Sequence, residues 1–343
     1  MAAVHAVRGR RGFRPSALLL LLAVALLPGA SLALPVVQEA GWALTHTDFL
    51  ENVNAAHFNP VDGKLYATST TSIANGGGLY RINGDGTSTL LDAAERPVGV
   101  VVDHATGDVF YSILGDGVIT RVDFATQTPT LWVDGFHTGD DDPVGMAIAP
   151  SNYVGAHLLP GQAVVVDEGT NGPDEVWGWN IGSPQGEFAI HSDTAGNPSP
   201  MQQPVDVTVT ATDIWVVNVS GHALYKIDAL GNAIPFFTAQ VLGQVSAITV
   251  DPITGDLFVI EKNTDEVLRI DPVTGATSVV INGFSFIDCC TDIAGLDFSP
   301  DGSMLFVTDR GTETIYTFSM VPEPGSLLLG LVAGLALRRA RRS

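Results

Sequence analysis

The chain alternates short apolar segments with turns rich in Pro, Asp and Gly, and the pattern recurs six times. Each clear copy begins with a strand of alternating polarity, passes a turn and ends in a strand rich in β-branched and aromatic residues. Two such strands joined by a short polar turn are typical of a β-hairpin. Four copies read HFNPVDGKLYATS, VVDHATGDVFYSI, ITVDPITGDLFVIE and LDFSPDGSMLFVTD, and two weaker copies lie between the second and the third.

A third strand follows every hairpin, and a fourth strand follows five of the six. The second strands end about 43 to 54 residues apart, at Ser69, Ile113, Asp167, Asn218, Glu261 and Asp309. This spacing is close to the ~40–50 residues of a four-stranded propeller blade. The pattern therefore predicts an all-β, six-bladed β-propeller.

The sixth copy lacks its fourth strand, and one unassigned apolar segment, residues 41–50, precedes the first copy. A strand there would complete the last blade and close the ring, which removes the exposed edges of an open sheet. A pair of packed sheets in a sandwich is the alternative, although a sandwich does not require regular repeats.

The N-terminal segment has the order of a secretory signal peptide: arginines, an apolar run from Ala17 to Leu27, and small residues up to Ala33. The run is shorter than the ~20 residues that a membrane span needs. We therefore expect a signal peptide over residues 1–33, cut by signal peptidase, rather than a buried or spanning helix. The propeller would occupy residues 34–320, and residues 321–343 would form a separate segment.

That last segment begins with Pro322, Glu323 and Pro324, continues with an apolar run and ends in an arginine cluster. The three parts, in this order, resemble a bacterial PEP-CTERM sorting signal. The resemblance implies recognition by an exosortase-type processing enzyme, cleavage near the Pro-Glu-Pro motif, and a transmembrane helix that anchors the protein at least transiently. A simple C-terminal anchor is the alternative. Either way the expected location is the cell envelope or the extracellular space.

Charge narrows the choice of partners. The formal net charge is −21, and half of the 16 basic residues lie in the two terminal segments, so the predicted propeller is strongly acidic. Such a surface repels nucleic acid and attracts cations. We therefore exclude nucleic acid, and expect an extracellular polysaccharide or an envelope protein as partner.

Four of the second strands end in oxygen-bearing side chains: Asp167, Asn218, Glu261 and Asp309. All four should lie on one face of the propeller, where converging oxygen ligands could bind Ca²⁺. Crowded carboxylates could also act as general acid and base. The third interpretation is local, because Asp and Asn often accept hydrogen bonds from nearby backbone amides.

The two cysteines, Cys289 and Cys290, are adjacent in sequence. An exported chain favours oxidation of a pair that can meet. Adjacent Cα atoms are at most about 3.8 Å apart, which is below the usual disulfide range and implies a strained ring. The prediction is a vicinal disulfide, with a pair of free thiols as the alternative.

The repeats resemble the NHL and gluconolactonase-like (senescence marker protein) propellers, most clearly in AGLDFSPDGSMLFVTDRGTETIYTF, residues 294–318. The resemblance implies a divalent cation over the channel, held by Glu, Asn and Asp at the starts of the innermost strands. Val and Ala offer no oxygen ligand, and they occupy four of the six matching positions. These positions are Asn54, Val98, Val144, Val205, Ser246 and Ala294.

Two functional hypotheses follow. The first is an exported, non-catalytic binding or scaffold propeller of a PEP-CTERM/exosortase system. The alternative is a divalent-cation-dependent, lactonase-like hydrolase with its site at the channel mouth.

Overall fold

The computed structural model describes residues 34–134, 142–168, 174–192, 201–221, 224–237, 242–287 and 294–321. These residues form six antiparallel sheets, each the blade of a β-propeller, and the first strand of each blade lines a central channel. The predicted fold is confirmed, and the sandwich alternative is wrong. The core lies between neighbouring blades, where Val, Ile, Leu and aromatic side chains of facing sheets pack together.

The strands follow one another along the chain from the channel outwards. Two strands precede the first blade: β1 (Val36–Val37) and β2 (Trp42–Phe49). Blade 1 comprises β3 to β6 (Val53–Asn59, Lys64–Ser69, Gly78–Ile82, Ser88–Ala93), with a 3₁₀ turn at Ile73–Asn75. Blade 2 comprises β7 to β10 (Pro97–Val102, Val109–Ile113, Val118–Val122, Pro129–Asp134).

The remaining blades repeat this order. Blade 3 comprises β11 to β14 (Pro143–Ile148, Ala163–Asp167, Glu175–Trp179, Glu187–Ser192). Blade 4 comprises β15 to β18 (Met201–Val209, Ile214–Gly221, Leu224–Ile227, Ala233–Pro235). Blade 5 comprises β19 to β22 (Val245–Val250, Leu257–Glu261, Glu266–Ile270, Thr277–Asn282). Blade 6 comprises β23 to β25 (Leu296–Phe298, Met304–Asp309, Thr314–Met320).

The N-terminal strand β2 closes the ring. It pairs antiparallel with β25, from Trp42 opposite Met320 to Phe49 opposite Thr314, and so supplies the fourth strand of blade 6. Trp42 is buried there, with its ring centroid 6.0 Å from that of Phe298. The closure predicted for residues 41–50 is confirmed.

Strand β1 was not predicted. Its two residues pair with β22, Val36 opposite Asn282 and Val37 opposite Ile281, and form a fifth strand on the outer edge of blade 5. The segment before blade 1 therefore covers the outer edges of two neighbouring blades, which leaves fewer backbone groups exposed for unwanted pairing.

Neighbouring inner strands approach each other at backbone distance, and glycine makes this possible. A Cβ added at Gly99 on β7 would lie 2.0 Å from the carbonyl oxygen of Val144 on β11. A Cβ added at Gly295 would lie 2.6 Å from the backbone nitrogen of Ala56 on β3. Real Cβ atoms do not come this close to backbone, so a larger residue at either position would force the blades apart.

Side-chain hydroxyls tie several inner strands together. Thr68 Oγ1 accepts a hydrogen bond from the N–H of Ala55 at 3.2 Å and donates to the carbonyl of Val98 in the next blade at 2.7 Å. Ser112 and Thr308 hold the same position in blades 2 and 6 and make the same pair of bonds. These three residues link blade 6 to blade 1, blade 1 to blade 2, and blade 2 to blade 3.

This arrangement predicts that Thr68→Val destabilises the protein. The variant keeps the shape of the side chain but leaves two buried backbone groups without their partner, which costs about 1–3 kcal/mol. The measurement is the free energy of unfolding from urea titration. Thr130→Val, on an exposed position of β10, is the control and should stay within about 0.5 kcal/mol of wild type. Equal stability of the two variants would show that the hydroxyl link contributes nothing.

Candidate binding site in the channel

The channel widens into a cavity of about 910 Å³. The inner strands of all six blades line it, and it extends to the turns that connect the first and second strands of the blades. The cavity therefore lies towards the face opposite the ends of the second strands, where the sequence had placed its candidate site residues. Most of its wall is formed by small or aliphatic residues, including Ala55, Val101 and Ala147.

Asp297 is one of two carboxylates that the inner strands contribute to this wall; Asp103 and Asp251 lie in the adjoining turns. Asp297 lies at the centre of the short inner strand β23, and its Oδ2 accepts a hydrogen bond from the N–H of Phe58 on β3 at 2.8 Å. The same oxygen lies 3.4 Å from Nδ1 of His57. Asp297 therefore joins blade 6 to blade 1 while it faces the cavity.

Asp206 on β15 is the second carboxylate. Its Oδ2 accepts a hydrogen bond from the N–H of Ile248 on β19 at 2.8 Å, and its Oδ1 accepts one from Val207 at 2.9 Å. A Cβ at Gly145 would lie 2.2 Å from Asp206 Oδ1, so the glycine on β11 provides the space for the carboxylate. Asp206 thus joins blade 4 to blade 5.

Burial dominates the electrostatics of both groups. It raises the pKa of Asp297 to about 7, and the N–H of Phe58 offsets part of this effect. Burial likewise raises the pKa of Asp206 to about 7, with a further small increase from the charge of Asp297. Near neutral pH each group is divided between its acid and its carboxylate, which suits proton transfer or the pairing of a cation.

Two histidines also lie in the polar part of the wall. The rings of His57 and His104 lie 5.5 Å apart, centroid to centroid. Burial lowers the pKa of His57 to about 4, and burial together with the neighbouring His57 lowers the pKa of His104. The imidazole of His57 is therefore neutral at pH 7, whereas the charge interaction with His104 lowers the pKa of Asp297.

The side chains at the ends of the second strands are buried and engaged with nearby loops. Asp167 Oδ1 accepts a hydrogen bond from the N–H of Asp142 at 2.9 Å. Glu261 Oε2 accepts one from the N–H of Thr264 at 2.9 Å, and Asp309 accepts bonds from the N–H groups of Ser285 and Gly311. Asn218 is fully buried opposite Pro204. These contacts are of the local kind considered as the third interpretation.

Only part of this set comes together. Burial raises the pKa of Asp265, and the charges of Asp309 and Glu261 raise it further, so these three carboxylates of blades 5 and 6 sense one another. Asp167 and Asn218 belong to blades 3 and 4. Within the described ranges, no three His, Cys, Asp or Glu side chains are grouped so that they could hold a metal ion. The calcium site stays a prediction.

The positions that match the ligands of the lactonase-like propellers are all buried at the starts of the inner strands. Val98, Val144, Val205 and Ala294 present aliphatic side chains there. The other two keep a buried oxygen without a hydrogen-bond partner, Asn54 Oδ1 and Ser246 Oγ.

Several predicted features lie outside the described residues. These are the signal peptide over residues 1–33, the pair Cys289 and Cys290, and the sorting motif Pro322, Glu323 and Pro324. In the part of the chain that is described, no helix has the length and hydropathy needed to cross a membrane.

Comparisons with known proteins agree with the architecture. No protein-family model matches the chain, and no curated protein matches its sequence. A gluconolactonase from Xanthomonas campestris is similar in structure, with 16% identity and a TM-score of 0.61 over 84% of this chain and 98% of that one. A streptogramin B lyase has 11% identity and a TM-score of 0.55 over 82% of this chain and 98% of that one.

A protein of unknown function from Bacteroides thetaiotaomicron is also similar, with 12% identity and a TM-score of 0.59 over 79% of this chain and 70% of that one. At these identities the likeness shows the fold alone. The class is therefore a six-bladed β-propeller of the architecture found in lactonase-like and lyase proteins.

Four of the polar residues that line the cavity, His57, His104, Asp206 and Asp297, were not predicted from the sequence. A usable signal was present, because a carboxylate interrupts the apolar inner strands in PVDVTV and AGLDFS. Charged residues are rarely buried without a reason, so these two positions could have been singled out.

The raised pKa of Asp297 predicts a pH-dependent stability. Between about pH 4 and 7 the folded protein keeps a proton that the unfolded chain has lost, so this group contributes stability that falls as the pH rises. The stability of Asp297→Asn relative to wild type should therefore rise by on the order of 2 kcal/mol from pH 5 to pH 8. Urea titrations at each pH measure it.

The groups that face Asp297 are His57, His104 and Asp206. The control is Asp271→Asn, at a half-buried turn residue whose pKa is lowered by the backbone N–H groups of Val273 and Thr274. Its relative stability should not change over this range, since Asp271 is ionised throughout. If the free energy of unfolding of Asp297→Asn relative to wild type is also constant from pH 5 to pH 8, the raised pKa of Asp297 is contradicted.

Proposed function

We propose that the protein is an exported β-propeller of a PEP-CTERM/exosortase system, located at the cell envelope or in the extracellular matrix, and that it acts by binding rather than by catalysis. The observation that carries the non-catalytic part is the set of aliphatic residues at the channel mouth. Val98, Val144, Val205 and Ala294 are buried where lactonase-like propellers are expected to hold their cation, and a hard cation needs oxygen ligands.

The sorting part of the proposal rests on the two terminal segments. The N-terminal segment runs from basic to apolar to small residues, which favours export and cleavage by signal peptidase. The C-terminal segment runs from Pro-Glu-Pro through an apolar stretch to arginines, which favours processing at that end as well. The acidic propeller between them favours a partner that carries positive charge or none. An envelope protein or an extracellular polysaccharide fits this description.

A divalent-cation-dependent, lactonase-like hydrolase is the second candidate. The buried oxygens of Asn54 and Ser246 favour it, because they lie at matching ligand positions and have no hydrogen-bond partner. The pairing of Glu261 and Asp309 with Asp265 also concentrates negative charge on the second-strand face. Two side-chain oxygens are few for Ca²⁺, which takes 6–8 oxygen ligands.

One experiment tests the proposal. The full chain is expressed in a bacterium that has an exosortase, and the mature protein is recovered from the envelope and the medium for mass spectrometry. Replacing Pro322, Glu323 and Pro324 with alanine should leave the C-terminal segment attached, while Ser326→Ala, in the same segment but outside the motif, should be processed normally. The wild-type protein should show no turnover on a panel of lactones, with or without calcium.

Two results would count against it. An identical mature mass for the triple-alanine variant and wild type would remove the exosortase part. Lactone turnover that depends on calcium and is lost in Asp167→Ala/Glu261→Ala would replace binding with the hydrolase.

A further inference from the structure

The channel cavity combines an aliphatic wall with a small number of fixed polar groups. Small side chains and backbone from β3, β7 and β11 form one part of the wall, and Asp206, Thr208, Thr249 and Asp297 supply polar groups on the other blades. Cavities of several hundred Å³ with this composition are typical of small-molecule sites. The volume of about 910 Å³ is at the upper end of that range.

Both carboxylates are held in place before any ligand arrives. Asp206 is fixed by the N–H groups of Val207 and Ile248, and Asp297 by the N–H of Phe58. The backbone of Phe298 also hydrogen-bonds to the Asp297 carboxylate, and His57 Nδ1 lies 3.4 Å from its Oδ2. A group positioned in advance loses little entropy when it binds.

The two carboxylates have no compensating positive charge at the cavity. None of the described residues around it is Lys or Arg, and its mouth adds Asp103 and Asp251. Burial lowers the pKa of both histidines, that of His57 to about 4, and so disfavours their charged forms. A buried carboxylate without a counter-charge is unfavourable, and a bound cation would relieve this cost.

We propose that the cavity binds a small organic cation, whose protonated amino group pairs with the carboxylate of Asp297 while Asp206 supplies a second negative charge. The aliphatic wall would cover the organic part of the ligand. This inference rests on the proposed binding function and names the class of ligand that the channel takes.

An organic cation fits this cavity better than a metal ion does. Calcium needs 6–8 oxygen ligands at 2.3–2.6 Å, and the described residues contain no group of three His, Cys, Asp or Glu side chains suited to a metal. An ammonium group needs only a few hydrogen-bond acceptors. The carbon skeleton of the ligand would be stabilised by burial against Val101, Ala147 and their neighbours.

The test is calorimetric titration of the full-length protein at pH 8 with n-butylammonium, with n-butanol of the same shape and no charge, and with calcium alone. We expect saturable binding of n-butylammonium with a dissociation constant of about 1 mM or lower. Binding of n-butanol should be at least about tenfold weaker, because the charge pairing is lost. Calcium alone should neither bind in the cavity nor displace the ammonium ion.

Binding should also weaken by roughly tenfold from pH 8 to pH 6. Asp297 and Asp206 take up protons in this range, whereas His57, whose pKa burial lowers to about 4, stays neutral. His104, Asp103 and Asp251 also line the cavity. The ammonium ion keeps its charge throughout.

Two variants and one control locate the site. Asp297→Asn should weaken the binding of n-butylammonium at least about tenfold. Asp271→Asn, at a half-buried turn residue that loses the same charge, should keep the affinity within about twofold of wild type. Ala147→Phe introduces an aromatic ring at a position that lines the cavity, leaves both carboxylates in the sequence, and should also weaken binding. Thermal melting of each variant shows whether it has folded.

The proposal is overturned if n-butylammonium gives no saturable binding, if n-butanol binds equally well, or if calcium alone binds and is lost in Asp297→Asn. Unchanged affinity in a folded Asp297→Asn or Ala147→Phe would overturn it as well. If n-butylammonium does not bind, while the protein is processed normally and turns over no lactone, the organic-cation ligand is ruled out and the proposed binding function remains. Lactone turnover would remove the binding function instead.

Discussion

Six inner strands must pass one another at backbone distance around a single axis, and most features of this propeller follow from that constraint. Side chains have no room where neighbouring strands cross, so Gly99, Gly145 and Gly295 occupy these positions. Backbone groups on the facing edges still need partners, because burying them unpaired is costly. Hydroxyls provide the partner at some junctions, a carboxylate provides it between blades 4 and 5, and both kinds of group act between blades 6 and 1.

The distribution of these partners explains why the channel is acidic. Thr308, Thr68 and Ser112 link blades 6, 1, 2 and 3. The matching residues in the other three blades are Val166, Val217 and Ile260, which have no hydroxyl. Asp206 reaches from blade 4 to blade 5, so one of these junctions is joined by a carboxylate. A group that first serves to hold two blades together therefore also brings negative charge into the cavity.

Closure of the ring sustains this arrangement. Asp297 bonds to Phe58 across the junction of blades 6 and 1, and β2 supplies the outer strand of blade 6. The outer pairing and the inner hydrogen bonds thus stabilise the blade where the two ends of the propeller meet. The cost is a pair of buried carboxyl groups with a raised pKa, which lowers stability at neutral pH and above. Proteins often accept such a cost at sites that bind ligands.

Much of the architecture could be predicted from sequence because hairpin periodicity and turn residues are local signals. The hairpins, the third strands and the closing strand near residues 41–50 were all predicted in this way. Strand β1 could not be, since two valines carry no periodicity. The ends of the second strands are polar as predicted, but Asp167, Glu261 and Asp309 bond to loop amides that a repeat pattern does not reveal. Asp206 and Asp297 bond to residues in neighbouring blades, and such pairs become visible only in three dimensions.

The channel holds two carboxyl groups, Asp206 and Asp297, whose burial raises their pKa well above the usual range for aspartate. Carbon-13 NMR titration of labelled aspartate carboxyls, with Asp206→Asn and Asp297→Asn used for assignment, measures this directly. The account predicts two resonances that titrate near pH 7. Two resonances that titrate near the ordinary value of about 3.9 would contradict it.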